Sequence, residues 1–132
     1  MSAKILIIED NLANLELMSY LLRAFGHHTL SASDGIAGLE AARSDSPDLI
    51  VCDIQIPGIS GLEVARRLKV DPVLGKIPLI AVTAFAMVGD RDKVMAAGFD
   101  GYITKPIEPK RFVRQLEAFL LSVAHVATNE IR

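Results

Sequence analysis

DLIVCD, residues 48–53, sets how the rest of the chain is read. Four consecutive apolar residues stand between two aspartates. The run is too short for a helix and lacks the alternation of a strand that wets one face, so it reads as a strand covered on both sides. It ends on an acid. Working outward, KILII (4–8) repeats the pattern and is followed by Glu9 and Asp10, while PLIAV (78–82) is followed by Thr83. HTL (28–30) and GYIT (101–104) are weaker runs, the latter followed by Lys105 and Pro106.

The segments between these runs have helical spacing. Leu17, Leu21, Ala24 and Phe25 fall on one face of a first helix; Phe112, Leu116, Phe119 and Leu120 do so in the last. Asn11 caps the first helix and Gly26 ends it, Asp34-Gly35 opens the second and Ser46-Pro47 closes it. Gly98 follows the fourth, and Pro109 suits the first turn of the fifth. Five strand–helix units without room for hairpins predict an α/β fold, a doubly wound five-stranded parallel sheet with right-handed crossovers. Residues 1–124 are expected to form the domain and 125–132 a short C-terminal tail, with the last helix extending past about 121 before it frays.

At 132 residues the chain is one ordinary domain, and 51% hydrophobic content suffices for a core without disulfides. Cys52 is the only cysteine and lies inside an apolar run, which excludes a disulfide framework and a cysteine zinc site. No apolar stretch approaches the ~20 residues of a membrane span, and MSAKILIIED has no export-signal pattern, so a reducing, cytoplasmic location and no membrane partner are expected. The net charge of -2 argues against nucleic acid as a partner. It is unevenly spread: residues 1–60 carry 3 Lys/Arg against 8 Asp/Glu, residues 61–132 carry 11 against 8.

Open parallel sheets bind ligands at the carboxyl ends of their strands. Four of the five strands deliver polar chemistry there: Glu9 and Asp10, Asp53, Thr83, and Lys105. Each alone reads equally as a cap, a turn residue, a strand end or a surface charge. Together, three converging carboxylates repel one another unless a cation offsets them. Oxygen-only ligands point to a hard ion, and Mg2+ fits because it binds through one or two carboxylates and tolerates a phosphate oxygen. A carboxylate so placed is a competent nucleophile toward phosphorus. Lys105 and the Thr83 hydroxyl would neutralise the transferred oxygens, and the small Ala84 would leave the approach open. His27 and His28 fall at the opposite end of the sheet and His125 in the tail, which leaves zinc without ligands.

IIEDN (7–11), VCDIQIPGISGLE (51–63), AVTAFA (81–86) and YITKP (102–106) together resemble the response-regulator receiver family of two-component phosphorelays. The resemblance spans about 4–120 and is most similar to single-domain regulators of the DivK type and to receivers of hybrid histidine kinases. It implies a flavodoxin-like (βα)5 fold with strand order 2-1-3-4-5 and the following roles. Asp53 is the phosphoacceptor, and Asp10, Asp53 and the Gln55 backbone carbonyl ligate Mg2+, with Glu9 acting through water. Thr83 is the switch hydroxyl, Lys105 the phosphate-binding cation, and Tyr102 the aromatic whose rotamer follows Thr83. Pro106 stands where such domains carry a cis peptide. The implied partners are a histidine kinase or histidine phosphotransfer protein and a downstream protein target. Only self-phosphorylation and dephosphorylation are expected, with no enzyme activity on other substrates.

Two rival readings are weaker. A phosphatase of the haloacid-dehalogenase type pairs its nucleophile with a second Asp two residues on, where this chain has Gln55. A flavodoxin or Rossmann cofactor binder needs a Gly- or hydroxyl-rich loop after the first strand, where this chain has Glu9-Asp10-Asn11. A monomer, or a weak phosphorylation-dependent dimer, is expected. Lys110, Arg111 and Arg114 are candidates to pair with Asp90, Asp92 or Asp100 of a twin.

Overall fold

The computed structural model describes residues 2–84 and 89–131, and side chains up to Leu121. Its elements are β1 (Lys4–Ile8), α1 (Leu12–Ala24), β2 (His28–Ala32), α2 (Gly35–Asp45), β3 (Leu49–Cys52), α3 (Gly61–Lys69), β4 (Leu79–Thr83), α4 (Asp90–Ala97), β5 (Gly101–Thr104) and α5 (Pro109–Ile131). The five strands are all parallel, in the order β2-β1-β3-β4-β5. This is the flavodoxin-like arrangement.

The unbroken apolar runs follow from two cores, one on each face. Leu6 and Ile8 of β1, Ile50 and Cys52 of β3, and Leu79 and Ala81 of β4 join Leu39, Val64, Leu68 and Val94 on the face covered by α2, α3 and α4. The residues between them, Ile5, Ile7, Leu49, Val51, Ile80 and Val82, meet Met18, Leu22, Phe112 and Leu116 under α1 and α5. With period-two side chains and both faces dry, no interior position of these strands holds a polar residue. Polar groups collect at the strand ends.

Caps fall where short polar side chains can hold free helix N–H groups. The Asn11, Asp34 and Ser60 side chains accept from the amides of Asn14, Ala37 and Glu63 at 3.0, 2.8 and 3.3 Å. Gly98 ends α4 at φ 116, a left-handed conformation that glycine adopts without steric cost. At the other end of the chain α5 continues unbroken to Ile131, across the 124/125 boundary expected from sequence. Phe85 and Ala86 of AVTAFA (81–86) and the side chain of His125 lie outside what is described.

Candidate functional site

The backbone ladder continues one residue beyond β1, β3 and β5, and those residues lie at the candidate site. The Glu9 amide donates to the carbonyl of Ala32, Asp53 to that of Ile8, and Lys105 to that of Thr83, at 3.0, 3.0 and 2.9 Å. Each functional group is thus fixed by the last carbonyl of the neighbouring strand. Thr83 closes β4 fully buried, with its register partner Thr104 on β5.

Lys105 reaches back across the strand ends. Its Nζ donates to Asp53 Oδ2 at 2.7 Å and lies 2.7 Å from Glu9 Oε1. Asp53 Oδ1 accepts from the Gln55 N–H at 3.2 Å, and Glu9 Oε2 from the Asn11 N–H at 3.2 Å. Carboxylate oxygens of Glu9, Asp10 and Asp53 lie within 4.8 Å of one another. Glu9 and Asp53 are buried, whereas Asp10 is exposed at the mouth. Burial raises the pKa of Glu9 above the ordinary carboxylate range, and repulsion from Asp53 adds to this against the opposing pull of Lys105 and the Asn11 amide. Burial works to lower the Lys105 pKa, but its contacts with Asp53 and Glu9 outweigh it and raise the net value. Burial, with the two nearby acids, pushes the Cys52 thiol far up, so that it stays an inert core residue.

One ammonium faces three acids. Glu9 Oε1 stays a buried oxygen without a hydrogen-bond donor of acceptable geometry despite its closeness to Lys105. An all-oxygen donor set with surplus negative charge fits a hard divalent cation such as Mg2+ and would suit a soft or nitrogen-seeking metal poorly.

Gln55 and Ala84 are both exposed on the rim, and the Lys105–Pro106 peptide bond is cis. Tyr102 is not among the clustered groups. It sits on β5 opposite Ala81, packs against the core on the α4 side, and buries a hydroxyl that has no partner. Burial raises its pKa, with Asp90 adding to the effect.

Several contributors escape a reading of sequence alone. A Cβ at Gly61 would collide with the Asp53 carbonyl and the Ile54 Cα, so only glycine lets the start of α3 press against the loop that carries Asp53. The Gly61 N–H donates to the Ile54 carbonyl at 2.8 Å and closes that loop. The signal was available in SGLE (60–63), the Ser-x-x-Glu pattern of a helix start. Of the acids suggested for pairing with a twin, Asp100 is engaged within the chain. Its Oδ2 accepts from Lys69 Nζ at 2.9 Å and from the Leu79 N–H at 2.8 Å, because it precedes β5 and so lies at the amino edge of the sheet. Asp90 is buried, and Asp92 is exposed.

A family model described as "Response regulator receiver domain" matches residues 5–117. The polar-differentiation response regulator DivK of Brucella ovis is 44% identical over 120 residues, which cover 91% of this chain and 98% of that protein. The receiver domain of a sensor histidine kinase from Pseudomonas aeruginosa PAO1, solved with magnesium ion coordinated in its active site cleft, is 29% identical. It matches with a TM-score of 0.84 over 91% of this chain and 98% of that one. A CheY-like response regulator receiver domain protein from Methanospirillum hungatei is 25% identical, with a TM-score of 0.85 over 95% and 98%.

Proposed function

The chain belongs to the response regulator receiver domain family of two-component signalling, and from that premise we propose that it is a phosphorelay switch that takes a phosphoryl group onto Asp53. The observation that carries this reading is the contact of 2.7 Å between Lys105 Nζ and Asp53 Oδ2 inside a cluster of three carboxylates. A lone salt bridge would need one acid. This site has two more than its lysine can neutralise.

In the transfer step the Asp53 carboxylate attacks the phosphorus of a phosphohistidine. An O–P bond forms, the N–P bond breaks, and the imidazole leaves with the electron pair of the broken bond. Lys105 passes from the carboxylate to a phosphoryl oxygen, and the Thr83 hydroxyl serves another. Asp10, Asp53 and the Gln55 carbonyl would hold Mg2+, with Glu9 acting through water. The ion supplies charge neutralisation for the phosphoryl oxygens. Exposed Ala84 leaves the mouth open, and the Gln55 side chain on the rim tunes the return attack by water without governing phosphorylation itself.

The phosphoryl donor is a histidine kinase or a histidine phosphotransfer protein. It docks beside α1, whose Leu12 and Tyr20 are 66% and 70% exposed and begin just past Asp10. The output passes through α4, β5 and α5, with Tyr102 turning as Thr83 moves, to a downstream protein in the cytoplasm. The folding unit is 1–124, with 125–132 a tail, and the molecule is a monomer or a weak dimer once phosphorylated. It catalyses only its own phosphorylation and dephosphorylation.

Incubation with acetyl phosphate and Mg2+, read by Phos-tag gel and intact mass, tests the site. One phosphoryl adduct is expected, absent in Asp53→Asn. An adduct retained by that variant would reject Asp53 as the acceptor.

A further inference from the structure

β2 is an outer strand of the sheet, paired with β1 on one side only. The His28 N–H donates to the Ala3 carbonyl at 2.8 Å and the Ala32 carbonyl accepts from Glu9 at 3.0 Å, so both residues turn their backbone groups toward β1. By the two-residue alternation of a parallel ladder, those of Thr29 and Ser31 turn outward. Exposed edges are commonly blunted by lysine, proline or a bulge. HTLSA (28–32) has no lysine or proline, and its register with β1 is unbroken. Beside this edge a groove of about 470 Å3 lies between β2 and α1. Glu16, Ser19, Tyr20 and Arg23, at helical spacing on one face, form its wall, with Leu15 and Ser31. Ser19 is only 8% exposed, and among the described residues its hydroxyl makes no hydrogen bond. Among the same residues neither Glu16 nor Arg23 forms an ion pair, and Arg23 Nε donates to Thr29 Oγ1 at 2.9 Å.

We infer that the β2 edge takes an extended segment of a partner protein as an added antiparallel strand, with a basic residue of that segment against Glu16 and an acidic one against Arg23. Antiparallel pairing is the stronger of the two ladders. Strand addition draws affinity from main-chain bonds and specificity from alternate side chains. Leu30 and Ala32 pack on the α2 and α3 face, so Thr29 and Ser31 point to the α1 face, and every second residue of the added strand lies over the groove. Glu16 and Arg23 stand seven residues apart, about 10 Å along the helix axis. Four residues of a strand span about 13 Å, a difference that long side chains bridge. Arg23 is near the start of β2 by its bond to Thr29, and Glu16, two turns earlier on α1, is near the end. An antiparallel segment therefore reads base-x-x-x-acid. Its middle residue falls over Leu15, Ser19 and Tyr20, where threonine combines a methyl group with an acceptor for the Ser19 hydroxyl. A second copy of this chain fits less well, since HTLSA has no Asp, Glu, Lys or Arg to set against Glu16 or Arg23.

None of these groups belongs to the carboxylate cluster, so strand addition is independent of phosphoryl transfer to Asp53. Position 31 separates strand addition from plain side-chain contact. Proline is tolerated on a sheet edge where its missing N–H would face out. Ser31→Pro therefore keeps the ladder to β1 and removes a bond offered to the incoming strand.

A labelled peptide with the core Lys-Val-Thr-Val-Glu, flanked by Gly and Ser, tests the edge on the full chain by fluorescence polarisation and amide NMR. It should bind about tenfold more tightly than cores with Lys at both ends or Glu at both ends. The outward amides of Thr29 and Ser31 should gain more protection from hydrogen exchange than any others. Affinity should fall about tenfold in Arg23→Glu and be lost in Ser31→Pro, with circular dichroism confirming that both variants are folded. The double variant Glu16→Lys with Arg23→Glu should prefer the reversed core, Glu-Val-Thr-Val-Lys. Failure of the first core to bind, equal binding of the like-charged cores, full binding by Ser31→Pro, or amide shifts confined to α4 and α5 would overturn the assignment. So would sedimentation that finds concentration-dependent dimers dissolved by Ser31→Pro, since the edge would then belong to a second copy.

Discussion

The two edges of the sheet handle charge in opposite ways. At the amino edge three acids are each matched by a donor. Asp100 holds Lys69 and the Leu79 amide, Asp48 accepts from the Lys4 N–H at 2.8 Å, and Glu117 stands 2.8 Å from His27, whose other ring nitrogen accepts from the Ala3 N–H at 3.1 Å. At the carboxyl edge Lys105 meets both Glu9 and Asp53, and Asp10 adds a third carboxylate beside them. The amino edge is a clasp that joins β1, α5 and the turn before β5. The carboxyl edge keeps a deficit of positive charge, and that deficit is what a ligand can fill. The same residue types thus mark structure at one edge and function at the other; the balance separates them.

The contrast can be broken by substitutions that should act in opposite directions. At the carboxyl edge Asp10→Asn is expected to act on cation binding. Calorimetric titration should find Mg2+ affinity lower by at least about tenfold, since a hard ion loses a charged ligand. A variant that binds Mg2+ as well as the parent would remove Asp10 from the site. Next comes His27→Ala at the amino edge. It empties a fully buried position and frees the Ala3 amide and Glu117, so urea unfolding should report a loss of about 2–4 kcal/mol. Asp100→Ala should cost less, about 1–2 kcal/mol, because Lys69 keeps the carbonyls of Gly75 and Ile77.

Smaller and of opposite sign is the change in stability of Asp10→Asn in EDTA. Relieved repulsion should raise the melting temperature by a few degrees, about 1 kcal/mol or less for an exposed group. A decrease there would mean that the acids are balanced after all. The smallest effect concerns pH. The folded-state pKa of Glu9 is raised, so the folded chain binds more protons than the unfolded one just above 4.5. This contribution favours folding below 4.5 and is lost as pH rises through the folded value. Metal-free Glu9→Gln should therefore flatten the fall in stability over that window, measured by urea unfolding at a series of pH values.

The sheet and its functional edge were readable because both faces are dry. DLIVC and PLIAV could not be amphipathic, and the first polar residue after each had to mark the strand end. Glu9, Asp10, Asp53 and Thr83 follow from that one constraint, whereas Lys105 comes after the weaker run GYIT, which is only partly buried. The clasp was not readable. A single histidine such as His27 is equally a surface residue until Glu117, ninety positions on, is folded beside it. Asp100 gives the same difficulty, since its partner Lys69 comes from the end of another helix. Gly61 was hidden for a different reason: its need for a missing side chain appears only once α3 presses on the Asp53 loop.

That pressed contact divides the labour of any switch. With Gly61 against the backbone of Asp53 and Ile54, and Ile54 and Ile56 tucked into the core, the wall that bears Asp53 is tightly packed. It behaves as an anvil. A bulkier residue at 61 would push on the backbone of Asp53 and Ile54 and so spoil the alignment of the struck surface before it touched the hammer.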